Sequence, residues 1–191
     1  MPPRGHSEGM KLSGEVTIEA PADSVWEIVG HGFASIGDWA TAVEDSHRAA
    51  GTPPPGAPVA GRTCETGLRA IPTVTENIVA YDDGNRTLTY AATGLPRFIG
   101  EARNRWQISS AGPGRARARF DGVLETRGLS GLLAALPLRV RMRREARRVL
   151  ADLKHYAEHG TPSPHKQRQL TDRAAIAHGE QRRRSPVEAA D

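Results

Sequence analysis

The sequence predicts one α+β domain: an antiparallel sheet of about seven strands, two short helices after the first strand, and a long C-terminal helix packed on the sheet. Three observations carry this. Residues 12–19 (LSGEVTIE) alternate apolar and polar side chains, as a strand with one buried face does. Five further strand-length segments between 62 and 125 are separated by short turn-like connections. Residues 138–157 then switch to apolar positions at steps of three and four, the period of an amphipathic helix. The 191 residues suit one domain with a tail, and a domain of about 150 residues buries roughly 70% of its unfolded surface, enough for a sizeable core.

In the first strand Leu12, Val16 and Ile18 share one side. Ala20-Pro21-Ala22-Asp23 opens a helix, because proline suits the first helical turn and Asp23 and Glu27 favour its positive end. Gly30 and Gly32 break it, and a short second helix is expected over Phe33–Trp39, weakened by Gly37. Val43 to Ala49 reads as the second strand, and 51–61 (GTPPPGAPVAG) as a loop. Strands follow at 62–68, 73–81, 86–93, 101–109 and 115–125, an antiparallel meander linked by Asp82–Asn85, Gly94–Pro96 and Ala111–Gly114. In the last of them Arg115, Arg117 and Arg119 alternate with Ala116, Ala118 and Phe120: one face wet, the other covered.

The closing helix is the strongest element. Leu138, Met142, Ala146, Val149, Leu150, Leu153, Tyr156 and Ala157 form one stripe, and Gly160 with Thr161-Pro162 is placed to stop it. Leu129, Leu132, Leu133 and Leu136 extend it upstream, with Pro137 as a kink. Only the sheet is long enough to be its partner. Residues 11–160 therefore form the domain, residues 1–10 a disordered N-terminus, and residues 161–191 a basic tail, polar, poor in large apolar residues and expected to be disordered or only locally helical.

The net charge of +4 is unevenly spread. Residues 10–126 carry −3, residues 139–154 carry +5 and residues 160–191 carry +2. Basicity thus belongs to one helix and a tail, and the plain reading is a solvated helix face and a loose end. Apolar windows fall short of the ~20 residues that span a bilayer, and MPPRGHSEGM lacks the apolar run of a signal peptide. The single cysteine, Cys64, fits a reducing compartment, so the chain reads as cytoplasmic. There is no phosphate loop, dinucleotide fingerprint or Cys-x-x-Cys. His155-Tyr156-Ala157-Glu158-His159 matches the inverted zinc-protease pattern, but only 32 residues follow to supply a third ligand, so no metal site is expected.

Taken together, APADSVWEIV, FASIGDWATAVEDS, TENIVAYDDGNRTLTYAATG and the closing GLLAALPLRVRMRREARRVLADLKHYAE, in that order, resemble the START/SRPBCC superfamily over residues 12–160, and within it the polyketide cyclase/dehydrase branch. The resemblance implies a START-like helix-grip fold: a curved sheet gripping the last helix, with a cavity between them. The same cup hosts enzymes, carriers and receptors, so fold does not settle chemistry.

Glu76 is the first candidate. It matches a strand glutamate that points into the cavity in related enzymes and receptors, and Glu76, Ile78 and Ala80 share one parity, opposite Asn77, Val79 and Tyr81. A carboxyl group in an apolar cup serves as a proton shuttle or a ligand anchor. Asn104 shares a face with Trp106, and an inward amide needs partners, from a ligand or a neighbouring strand. Tyr90 offers a phenol; Cys64 and Thr66 share a parity; Phe120 and Trp39 complete the expected ligand-binding set, Trp39 as core or rim. Related synthases place an arginine near the position of Cys64, so that guanidinium is expected to be missing here. With no histidine near it in sequence, Cys64 is a poor nucleophile.

Two functions follow. One is a carrier or sensor for a small hydrophobic molecule such as a lipid, polyketide or aromatic. The other is a cyclase or dehydratase that moves protons through Glu76 and needs no metal or organic cofactor. A weaker third is a nucleic-acid or membrane-associated protein acting through Arg139–Arg148 and Arg182–Arg184; stacking aromatics are scarce, which speaks against nucleic acid. Neither the ligand nor an oligomeric state is written in the residues.

Overall fold

The computed structural model describes residues 9–126 and 128–184. Seven strands form one antiparallel sheet: β1 (Met10–Ile18), β2 (Asp45–Arg48), β3 (Gly61–Leu68), β4 (Ile71–Asp82), β5 (Thr87–Thr93), β6 (Ile99–Ser110) and β7 (Ala116–Thr126), in the order β1-β7-β6-β5-β4-β3-β2. Strands 3 to 7 are a meander, and β1 returns to pair with β7. Between β1 and β2 lie α1 (Ala22–Trp26), a π-turn over Glu27–His31 and a 3-10 helix over Phe33–Asp38. The helix α2 (Gly128–His159) crosses the sheet, and α3 (Pro164–Arg184) follows. Through α2 the expected order of elements is the one observed, with strand ends differing by one or two residues.

Alternation puts the buried faces where the sequence placed them. Leu12 and Ile18 of β1, Leu88 and Tyr90 of β5, Ala102, Trp106 and Ile108 of β6, and Ala116, Ala118 and Leu124 of β7 are buried, while Arg103, Arg105, Arg117 and Arg119 face outward. One parity fails. A bulge between Ile78 and Ala80 shifts the β4 register, so Ala80 and Val79 are exposed and Tyr81 turns inward onto Trp26, ring centroids 5.4 Å apart. An extra residue in one strand moves everything beyond it to the opposite face.

The stripe on α2 closes the main core. Leu150 and Leu153 are buried among Ile18, Val25, Trp26 and Phe33, and Gly14 lets the helix come close: a Cβ there would stand 2.7 Å from Leu150 Cδ1. Nearer its start, Met142 packs on a second cluster of Ile99, Ala102 and Leu124. Gly160 terminates the helix with φ +68°, its N–H donating to Tyr156 O at 2.8 Å. The upstream leucines and Pro137 lie within the span of α2, but their side chains, like that of Leu138, fall outside the described residues. Leu153→Ala should cost about 2–5 kcal/mol, because the hole it leaves relaxes only partly; urea unfolding measures this, and a loss under half a kcal/mol would displace α2 from the core.

The tail, expected to be disordered or only locally helical, forms one continuous helix over residues 164–184. Lys166 is completely buried, its Nζ donating to Val43 O (2.7 Å), Glu44 O (3.4 Å) and Gln169 Oε1 (2.9 Å). Asp152 of α2 accepts from Thr41 N–H (2.8 Å), Thr41 Oγ1 (2.7 Å) and Ser163 Oγ (3.2 Å). Further along, Arg173 donates to Glu44 O (3.0 Å) and pairs with Asp45 (2.5 Å). Polar contacts, which hydrophobic periodicity does not register, dock this helix. At the other end, residues 1–8 and 185–191 lie outside the described residues, while Met10, assigned to a disordered N-terminus, pairs with Leu124 in β1.

Candidate functional site

A cavity of about 300 Å³ lies between the inner face of the sheet and α2. Its wall is almost wholly apolar. Two cross-strand rows set its polar content. One runs Arg62–Glu76–Ala92 over β3, β4 and β5. The next runs Ile78–Tyr90–Asn104–Gly122 over β4 to β7. Residues facing each other across strands sit about 5 Å apart, so the sheet itself gathers these polar groups.

Arg62 and Glu76 are direct cross-strand partners joined by an ion pair, Nε to Oε2 at 2.6 Å. The Arg62 side chain is 4% exposed and that of Glu76 16%. Arg62 Nη1 also donates to Phe33 O at 2.8 Å, and the guanidinium lies 4.0 Å over the Phe33 ring and 5.3 Å from that of Tyr90. A buried guanidinium needs such satisfaction on all sides. Burial works to lower its pKa, but Glu76, Tyr90 and Cys64 together outweigh this and hold it above the ordinary arginine value.

The guanidinium expected to be missing is therefore present, supplied by Arg62 rather than from the position of Cys64. The signal was available: Arg62 shares its parity with Cys64 and Thr66. An arginine at the start of a strand reads by default as exposed, which is why it was missed.

Seven of the expected residues line the cavity: Glu76, Tyr90, Asn104, Cys64, Thr66, Trp106 and Phe120. Two do not. Trp39 (3% exposed) and Ile78 (5% exposed) are instead buried in the main core cluster, with Val25, Trp26 and Phe33. Thr66 Oγ1 donates to Ile71 O and closes the β3–β4 hairpin, so its hydroxyl proton is committed. Burial pushes the Cys64 thiol up to about 12, which keeps it protonated at neutral pH, and its Sγ lies 4.0 Å from Glu76 Oε2. Burial, followed by the nearby Glu76 charge, also pushes the Tyr90 phenol up, so it stays a neutral hydroxyl. The Asn104 side chain makes no hydrogen bond among the described residues and fronts the cavity.

The zinc-like motif has other work. Glu158 Oε1 accepts Glu19 N–H at 2.7 Å and pairs with Lys154, while His159 Nδ1 lies 2.9 Å from His155 O.

A sheet gripping one helix over a small apolar cavity with a buried polar row defines a helix-grip binding domain. The family model for polyketide cyclase / dehydrase and lipid transport proteins matches residues 10–158. The chain belongs to that family, within the START/SRPBCC superfamily. Solved structures share its fold: the ZhuI aromatase/cyclase from Streptomyces sp. R1128 (TM-score 0.64, 17% identity, 78% of this chain and 93% of that one), XoxI from Bacillus cereus (0.61, 16%, 76% and 93%) and a protein from Nitrosospira multiformis (0.61, 15%, 79% and 98%). No curated protein sequence matches the chain. No helix among the described residues is long and apolar enough to cross a membrane.

Proposed function

We propose that the domain binds one small, mostly apolar molecule bearing a polar oxygen group, as a carrier or sensor, and that it works in the cytoplasm, where its lone buried thiol stays reduced. The observation that carries this is the pairing of an apolar cavity with an amide, Asn104, that has no hydrogen-bond partner among the described residues, next to the Arg62–Glu76 row. The apolar wall supplies affinity, and the few polar groups fix orientation. Asn104 both donates and accepts, so it suits a hydroxyl or carbonyl. Native mass spectrometry of protein purified from its own host should reveal a bound small molecule, and that molecule should raise Tm as it saturates the site. Asn104→Leu should weaken its binding by about 1–3 kcal/mol. A bound molecule indifferent to Asn104→Leu would overturn this assignment of the polar end.

The second reading is a cyclase or dehydratase without metal or organic cofactor. It is favoured by a carboxylate and a guanidinium standing 2.6 Å apart on the cavity wall. Glu76 would take a proton from carbon beside a ketone while Arg62 steadies the oxygen that gains charge. ZhuI, which shares the fold, is an aromatase/cyclase.

A further inference from the structure

The cavity opens toward an arginine-rich surface that its ligand chemistry does not use. Its rim combines Leu68, 37% exposed at the β3–β4 turn, with Leu95 of the β5–β6 connection and Arg141 and Met142 of α2. On α2, Arg139, Arg143 and Arg147 recur at steps of four, as do Arg144 and Arg148, and with Arg141 all six are exposed. Val140, 46% exposed, stands in their midst. Among the described residues only Arg148 has an ion partner, Glu145 at 3.4 Å. Arg69 and Arg97, also exposed, flank Leu68 and Leu95. The same helix begins with eleven residues, GLSGLLAALPL, that carry no charge.

From this we infer that the rim and the α2 arginine face dock on an anionic lipid bilayer, so that the cavity opens onto the membrane surface. The inference is separate from what the cavity holds. Charge complementarity names the occupant. Six cations with one acid between them seek a dense array of phosphates and carboxylates. Their stems lie on apolar surface while the charges reach headgroups, and exposed Leu68 and Val140 sit at the headgroup boundary. A nucleic acid offers phosphates but nothing for an apolar rim, and residues 139–149 hold no aromatic for base stacking. A second copy of the chain would bring like charge against like charge.

Vesicle flotation tests this with the full chain. At roughly 0.15 M ionic strength, where exposed charges more than about 8 Å apart are largely screened, the protein should float with vesicles of phosphatidylcholine plus phosphatidylserine and not with phosphatidylcholine alone. Added salt should release it. Each arginine near such a surface contributes about fivefold in partitioning, so Arg139→Gln/Arg143→Gln/Arg144→Gln together should lose roughly a hundredfold. Glutamine keeps helix propensity close to that of arginine, and an unchanged melting curve shows that the variant is folded. The indole introduced by Leu68→Trp should shift its fluorescence to the blue on anionic vesicles. Equal binding to neutral vesicles, full binding by the triple variant, an indole that stays in water, or tight duplex DNA binding with vesicles ignored would each overturn the inference. Should the triple variant melt early, the salt titration and the neutral-vesicle comparison on the unaltered chain decide it.

Discussion

Glu76→Gln should lower the unfolding free energy by about 3 kcal/mol, toward the lower end of what breaking a buried ion pair costs. The reason lies with the partner. Arg62 stays charged at any ordinary pH, its side chain is 4% exposed, and without Glu76 it keeps only Phe33 O and two ring faces. The amide oxygen of glutamine can still accept one hydrogen bond, and the Glu76 end of the pair is 16% exposed, which places the loss low in that range. Removing both charges tests the argument. Arg62→Met/Glu76→Gln should lie closer to the unaltered protein than Glu76→Gln alone, because no lone charge is left buried. Urea unfolding measures both. A double variant no more stable than Glu76→Gln alone would overturn the argument and mean that the pair is a net stabiliser.

The same substitution separates the two functions. Measured on folded protein, a carrier that uses Glu76 as acceptor should lose about 1–3 kcal/mol of ligand affinity. An enzyme that uses it as acid or base should keep most of its affinity and lose about a hundredfold or more in turnover.

Ending the chain at residue 162 should cost about 1.5–3 kcal/mol, the range for hydrogen bonds to a charged group such as Lys166; for a chain of this size that lowers Tm by roughly 3–12 °C. Arg173–Asp45, partly exposed, adds little. An unchanged Tm would show that α3 is a passenger. The alkaline limb gives a second measurement. Burial, reinforced by Arg173, pushes Lys166 below the ordinary lysine value of 10.5. The unfolded chain then keeps its proton to higher pH than the folded one. Stability therefore rises with pH between the folded value and 10.5, and this increment should vanish in Lys166→Met.

Much of this was legible in the sequence because burial writes itself in periods. The strand alternation of β1, β6 and β7 and the stripe on α2 each pointed at the face they bury, and the cavity sits where those faces meet. What escaped was polar. A bulge after Ile78 reversed one parity without any Gly or Pro to announce it. Arg62 carries no signal of its role, because nothing local marks a charge whose partner lies 14 residues away. The docking of α3 rests on Lys166 and Asp152, which reach Val43 and Thr41, more than a hundred positions earlier.

A sheet that does not close into a barrel has two raw borders. One is β1, which lies beneath α2. The other is β2, a strand of four residues whose leading carbonyls, Val43 and Glu44, are held by Lys166 and Arg173. Short length and lysine or arginine at a border are the devices by which sheets refuse strands from neighbouring molecules. The helix that follows residue 158, where the family match ends, should thus help to keep this border from pairing edge to edge with a neighbouring molecule. A shortened chain, even where it still folds, should be more prone to self-association in concentrated solution, with light scattering rising before any secondary structure is lost.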